Sequence, residues 1–472
     1  HTEEEIGKIF LVVVGIVFSI LIATTSSWFE PVLFIVAIGT AIAINRGTNI
    51  FFGEISFVTN AAAMVLQLAV SMDYAIFLLH RFSDYRQEGF PVKESMQKAM
   101  EKSFSPILAS ASTTVFGFAA LLAMQYRIGF DLGLVLGKSV VISLVTVMIL
   151  LPVLAVRFSN WIDKTHHRQL ELKVGIVKGV VRRFKVPVLI LFVVVSCVGF
   201  LAQNQNVFQY GISEIYKDPQ LSINQEKLAI DKTFGQVNQL VILMKKGAVD
   251  RAVLTRELAS LPNVIEVISF SEVAGQSIPE DFVPAEEKKD LISGGFERLL
   301  VKINTKTEGE TAFKAVDGIE AVVGKYVQKP YYIIGETPNT YDLKNTVTKD
   351  NVKVNALAIG AIAIVLVITF KGVGMPLLLL AVIESAIFIN LSVAYFTNQP
   401  IFYIGYLIIG AVQLGATVDY AILFGSRYYE NRIHSNKTKA ALDTLSDTAL
   451  SIITSAGIMA VCGFRSEEHT SE

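Results

Sequence analysis

Two carboxylates sit where a carboxylate is costly. Asp73 lies in "LAVSMDYAIFLLHRF" and Asp419 in "LGATVDYAILFGSRY", and each is followed directly by a tyrosine, Tyr74 or Tyr420. An ionised carboxylate at the centre of a membrane helix costs about 2.5–3.5 kcal/mol even on the lenient insertion scale. Ionisable groups kept at that depth are functional by default. Each aspartate stands roughly 12 Å along a helix from a basic end, Arg81 or Arg427. Two helices carrying Asp-Tyr at matched depth can pair crosswise, Asp73 with the Tyr420 hydroxyl and Asp419 with that of Tyr74. Burial and hydrogen bonding act on a carboxyl proton in opposite directions, so such a pair could take up a proton from one side and release it to the other. The competing reading is a polar pair that only joins two helices.

The elements that position these residues form an internal repeat. An offset of 346 lays "SMDYAIFLLHRFSDYR" over "TVDYAILFGSRYYENR", with Asp73/Asp419, Tyr74/Tyr420, Arg81/Arg427 and Arg86/Arg432 in register. Gln67 meets Gln413 upstream, and Ser105, Gly117 and Phe118 meet Ser451, Gly463 and Phe464 downstream. A match of that extent is a duplication.

The surroundings are those of a membrane protein. Of 472 residues, 52% are hydrophobic and 18% charged, against about 25% charged in ordinary soluble domains. The net charge of −1 offers nothing to a nucleic acid. Cys197 and Cys462 both lie in apolar runs, so no disulfide or metal framework is expected. Apolar runs long enough to span appear at 9–24, 28–44, 57–79, 107–124, 133–156, 187–202, 352–370, 375–396, 401–424 and from 450. Lys164, Arg168, Lys173, Lys178, Arg182, Arg183 and Lys185 crowd one loop; Arg81, Arg86, Lys93, Lys98 and Lys102 crowd another. By the positive-inside rule both loops are cytoplasmic, which puts the region after Ala202 outside.

That region, from about 203 to 350, reads strand "QLVILMK", helix "DRAVLTRELASL", strand "VIEVISF", then strand "RLLVKIN", helix "TAFKAVDGIEAVVGKY" and strand "PYYIIG". The βαββαβ order predicts one extracytoplasmic α+β domain of the ferredoxin-like type. The expected organisation is therefore a first-half bundle (1–158), an amphipathic basic cytoplasmic linker (159–186), a single span (187–202), the outer domain (203–350) and a second-half bundle (351–464). The octet "RSEEHTSE" (465–472) is read as a non-native, adapter-like tail that would stop the last helix inside the bilayer. Because the chain starts at His1 beside a span whose repeat partner follows an outer domain, it is expected to be a fragment lacking the first span, the first outer domain and the last span.

Three further features stand apart from the repeat. Glu384 is a third mid-membrane acid, with Ile38 at the repeat position; it could add a proton step or face a polar lumen passively. Lys138, near the outer end of its span, is expected to snorkel. His166-His167 lies in the basic linker without ligand partners, so no metal site is expected there.

These motifs resemble the RND (resistance–nodulation–division) superfamily, in its MMPL-type branch. That family carries GxxxDY in its fourth and tenth spans. Residues 415–420 match it fully, whereas Ala69 replaces the glycine in the first copy. The resemblance implies a polytopic α-helical membrane protein with a duplicated RND-type bundle and an extracytoplasmic porter domain. It implies proton-driven export of lipids, amphiphiles or drugs, with Asp73, Tyr74, Asp419 and Tyr420 as the relay. It also implies small hydroxyls on the fifth and eleventh spans, for which Ser110, Thr113, Thr114, Thr454 and Ser455 are the candidates. Such hydroxyls more often just bond the preceding turn. No cofactor beyond the proton gradient is implied. Expected partners are membrane lipids and a hydrophobic or amphiphilic substrate, and the setting is a bacterial cytoplasmic membrane. The short outer domain favours a monomer.

Other classes fit less well. Patched-like sterol sensors resemble this architecture but show paired acids where this chain has Asp-Tyr. A SecD/SecF-type translocation motor lacks its characteristic polar motifs here, and no GxxxxGK[ST] loop supports an ATP-driven pump. An enzyme is not expected.

Overall fold

The computed structural model describes residues 2–167, 174–211, 237–274 and 288–468, together with a few residues at 225–233 and 282–284. They form two compact units, His1–Val207 with Lys349–Thr470, and Phe208–Thr348.

The first unit is helical: α1 (Thr2–Thr24), α2 (Glu30–Thr48), α3 (Phe57–Gln87), α4 (Val92–Ala120), α5 (Arg127–Arg157), a short α6 (Ser159–Lys164) and α7 (Gly175–Gln203). After α8 (Arg251–Ala259) and α9 (Glu310–Tyr326) in the other unit, the chain continues through α10 (Glu336–Phe370), α11 (Gly374–Thr397), α12 (Tyr403–His434) and α13 (Lys437–Glu468). Among the described residues, α2, α3, α4, α5, α7, α10 and α11 are long and apolar enough to cross a membrane. Helix is the form apolar runs must take there, because only intrasegment bonds satisfy a backbone that water cannot reach. Ile149, Val153, Leu189, Leu191, Ile364 and Ile368 are exposed, each by more than half, the apolar outer surface that lipid requires.

The helices approach closely where small residues allow it. A Cβ on Gly199 of α7 would lie 3.1 Å from the Ile389 backbone of α11. A Cβ on Gly415 of α12 would lie 3.4 Å from Thr114 on α4. Removing side chains at a crossing is how membrane helices gain packing without a hydrophobic driving force.

The basic linker departs from the expected single amphipathic helix. It comprises α6 and the start of α7, with 168–173, including Arg168 and Lys173, outside the described residues. Helix α7 breaks at Phe184 (φ −120°, ψ 28°). Pro187 has no N–H for the Arg183 carbonyl and its ring crowds that turn, which sets the kink between the basic stretch and the apolar one. His166 and His167 dock on the α1–α2 connection: His167 N–H donates to the Ser26 carbonyl at 2.9 Å, and its ring meets Trp28 edge-on at 5.1 Å. Lys138 does more than reach for water. Its Nζ donates to the Asn45 carbonyl, Thr48 Oγ1 and Asn49 Oδ1 at 3.0, 3.0 and 2.5 Å, which satisfies the otherwise unpaired C-terminal end of α2. The polar tail also differs from expectation. Helix α13 runs on to Glu468 instead of stopping before Arg465, since intrahelical bonds are indifferent to side-chain polarity; residues 469–472 lie outside the described ones.

The second unit is a small α/β domain. Its strands β1 (Asn238–Lys245), β2 (Val264–Ile268), β3 (Phe296–Ile303) and β4 (Tyr331–Gly335) form an antiparallel sheet in the order β2-β3-β1-β4. A two-residue strand, Ile292–Ser293, adds to β3. Alternate residues of β1, Leu240, Ile242 and Met244, are fully buried, as a strand with one covered face demands. They pack with Leu254 and Leu258 of α8 and Ile319 and Val323 of α9 into one core. Asp250 caps α8 by accepting the Ala252 N–H at 2.9 Å.

Candidate functional site

The two Asp-Tyr pairs meet around a cavity of about 40 Å³, lined by Asp73, Tyr74, Ser110, Asp419, Tyr420 and Ser455 with apolar neighbours. Helices α3 and α12 bring the pairs, α4 brings Ser110 and α13 brings Ser455. Both Asp73 oxygens, Asp419 Oδ2 and both tyrosine hydroxyls are buried and make no protein hydrogen bond of ordinary geometry. Only one half of the crosswise pairing expected from the sequence is laid out, Asp73 with Tyr420; Asp419 and Tyr74 both turn to the hydroxyls of α4. Asp73 faces the Tyr420 hydroxyl and Ser455, while Asp419 faces Ser110 and Thr114. A cavity of this size has room for a water, which needs roughly 10–15 Å³, and a water could bridge the facing groups. Two carboxyls, two phenols and the neighbouring serine hydroxyls round one water-sized space form an arrangement that could pass a proton.

The supporting hydroxyls fall into two sets. Thr114 Oγ1 lies 3.2 Å from the Ser110 carbonyl of its own preceding turn, but also 3.2 Å from the Gly415 carbonyl and 3.4 Å from Asp419 Oδ1, and Ser110 and Ser455 line the cavity. Thr113 and Thr454 instead donate to carbonyls of their own preceding turns, Ser110 at 2.6 Å and Leu450 at 2.8 Å. The arrangement is not two-fold: at the repeat offset Thr114 corresponds to Ala460 and Ser455 to Ala109. Glu384 is not part of this cluster. It lines a separate cavity of about 90 Å³ with Gln203, Asn351, Asn355 and Tyr406.

Sequence reasoning missed a second crosswise arrangement on the same two helices. Arg81 donates to both carboxylate oxygens of Glu430 at 3.2 and 3.1 Å. Arg427 lies 3.6 Å from Asp84 and 3.1 Å from Glu430. Asp84 and Glu430 are themselves repeat partners, so an acid on the turn after each repeated arginine was the available signal. The pairing clamps the basic ends of α3 and α12 one layer beyond the Asp-Tyr cavity. Burial raises the Glu430 carboxyl, but Arg81 and then Arg427 outweigh it and hold the group below its ordinary value.

A family model described as "MMPL family" matches residues 1–185 and 280–464. The chain is 23% identical over 474 residues to the putative membrane protein ActII-3 of Streptomyces coelicolor, covering 96% of this chain and 63% of that protein. It is 24% identical over 507 residues to the apo-petrobactin exporter of Bacillus anthracis, covering 96% and 64%. A shorter match, 28% identical over 145 residues, is to the sulfolipid-1 exporter MmpL8 of Mycobacterium tuberculosis, covering 29% and 13%. The chain therefore spans just under two thirds of the length of ActII-3 and of the apo-petrobactin exporter. Among solved structures, SecDF of Thermus thermophilus is similar in fold, with a TM-score of 0.61, 12% identity, and 98% of this chain and 57% of that chain covered. With matching family segments on both sides of its α/β unit and helices built to cross a membrane, the chain belongs to the MMPL family of RND-type transporters, multi-pass membrane proteins.

Proposed function

We propose that the protein exports a lipid, amphiphile or drug across a bacterial cytoplasmic membrane by letting protons in, with Asp73, Tyr74, Asp419 and Tyr420 as the proton relay. The observation that carries this reading is the convergence of both buried Asp-Tyr pairs on one water-sized cavity. A carboxyl that gains or loses a proton there changes which of its neighbours it can bond, and that biases how α3 and α12 pack. Each proton moving inward down 100 mV supplies about 2.3 kcal/mol, enough to shift a packed two-state element. Relatives named as exporters of apo-petrobactin and of sulfolipid-1 support an export direction and an amphiphilic cargo. On this reading the clamped basic ends face the cytoplasm. The α/β unit lies outside as a ferredoxin-like porter domain that chooses substrate, and Ser110, Thr114 and Ser455 support the relay.

The test is gradient-driven efflux of a fluorescent amphiphile from proteoliposomes of the full-length protein. Asp73→Asn and Asp419→Asn are each expected to cut efflux at least tenfold without changing the melting temperature in detergent by more than a few degrees. Unchanged efflux in both would sink the relay.

A further inference from the structure

A second cavity, of about 30 Å³, lies next to the Asp-Tyr cavity and shares Ile76 and Ser451 with it. Its polar lining includes Thr25, Ser26, Glu30, His80, Ser83 and Ser451. Glu30, at the start of α2, is 6% exposed and accepts hydrogen bonds from Ser26 N–H and Oγ at 3.1 and 2.9 Å. This carboxyl has no part in the Asp-Tyr cluster; its bonds to Ser26 tie down the α1–α2 connection and leave it bordering the cavity. His80, on α3, borders the same cavity, yet its side chain is 32% exposed and its Nδ1 lies 3.8 Å from Asp84. It therefore touches both the cavity and the basic end of the bundle.

The other half of the repeat lacks this route. Aligning the helix-start prolines Pro31 and Pro376 sets Met375 against Glu30, and at the 346 offset Ser426 takes the place of His80. Phe370 and Met375 press there on the α12 backbone, where a Cβ on Gly425 would lie 2.6 Å from the Phe370 ring and 3.3 Å from Met375. One half is plugged by apolar side chains and the other is lined by an acid, an imidazole and hydroxyls.

We propose that protons pass between the Asp-Tyr centre and the basic side of the bundle through the Glu30–His80 cavity, a route with no counterpart at the repeat-related place. This rests on the proton-coupled reading above. A proton leaves the Asp73 carboxyl, which becomes a carboxylate, and crosses by way of Ser455, Ser451 and water, each hydroxyl accepting one proton as it gives up its own. It neutralises the Glu30 carboxylate, passes to the neutral His80 imidazole and leaves from the imidazolium to solvent. Each cavity has room for a bridging water, which needs about 10–15 Å³. The charged groups facing His80 are Arg81 and Asp84 on α3, Arg427 on α12 and Asp447 on α13, and those facing Glu30 are His166 and His167. Histidine ordinarily titrates near pH ~6.5, which makes His80 the group that gives the route its pH dependence.

The experiment uses proteoliposomes of the full-length protein with a trapped pH dye and an imposed proton gradient. Glu30→Gln is expected to slow acidification at least tenfold, and Glu30→Asp to recover at least half of the loss. His80→Gln is expected to slow it and to flatten the pH profile that wild type shows. Because His80 is a third exposed, its replacement leaves the fold standing and decides the matter if Glu30→Gln fails to insert. A structural role for either residue would not move the pH profile. If wild type shows no flux, or Asp73→Asn is normal, the proton-coupled reading fails. If Asp73→Asn is dead while Glu30→Gln and His80→Gln run at wild-type rates with wild-type pH profiles, this route alone is overturned.

Discussion

Thr114 shows how much one hydroxyl distinguishes the two halves of a duplicated site. Its Oγ1 is 3.4 Å from Asp419, whereas its repeat counterpart, Ala460, has no hydroxyl to offer. A hydrogen bond to a charged group contributes about 1.5–3 kcal/mol, and a long one less. Thr114→Val keeps the shape and removes the donor. We expect gradient-driven proton entry to fall about three- to tenfold with the melting temperature unchanged, read by trapped-dye fluorescence; a rate equal to wild type would remove Thr114 from the relay. The glycine of GxxxDY also acquires a reason here. Gly415 lets α12 sit against Thr114, while Ala69 of the first copy is buried, 2% exposed, without needing that approach.

At the scale of elements, the Arg81–Glu430 and Arg427–Asp84 pairs make α3 and α12 a clamped unit. The Glu430 side chain is 44% exposed, so the pair contributes only about 1 kcal/mol, the upper end for exposed ion pairs. Arg81→Glu should lower the melting temperature by a few degrees, and Arg81→Glu with Glu430→Arg should restore most of it. Failure of the double variant to recover would mean that the contact has no energetic weight. The Glu430 carboxyl is held below its ordinary value of 4.5, so its contribution is complete above that pH and is lost as the pH falls through the lowered value. The stability difference between wild type and Arg81→Glu should therefore shrink in acid. Helix α7 makes a related point: Pro187 alone is enough to separate its basic and apolar parts.

On the scale of the whole molecule, the α/β unit has a core of its own. Leu240, Ile242, Val301, Ile319 and Val323 are all fully buried within it. Residues 208–348 expressed alone should give a cooperative thermal transition with mixed α/β far-ultraviolet circular dichroism. Ile319→Ala should cost about 2–5 kcal/mol, as large-to-small changes in a packed core do. A non-cooperative transition in the parent segment would show that the sheet depends on the membrane helices. The helical unit is organised by the duplication instead, and its site is asymmetric despite it. The proposed relay draws hydroxyls from α4 and α13, and the proposed exit, lined by Glu30 of α2, His80 of α3 and Ser451 of α13, has no repeat-related twin.

Much of this was legible before any coordinates. Asp73, Tyr74, Asp419 and Tyr420 were found by depth and repetition, since an acid in an apolar run is conspicuous and a second one at a fixed offset is more so. The strands and helices of the α/β unit follow from periods of two and 3.6 that burial on one face imposes. The kink at Phe184 and the continuation of α13 to Glu468 were not read, because each turns on backbone hydrogen bonds that side-chain polarity does not report.

What the sequence determined by itself was local and periodic: where the apolar runs lie, that two of them carry an Asp-Tyr pair, and that the bundle is duplicated. Only the tertiary structure decided which side chains from distant segments share a space. Thr114 and Asp419 stand 305 positions apart and Arg81 and Glu430 349 apart, and Glu30 and His80 border one cavity from different helices. Contacts of that kind depend on helix rotation and crossing. Those are set by packing at small residues such as Gly199 and Gly415, not by any pattern along the chain.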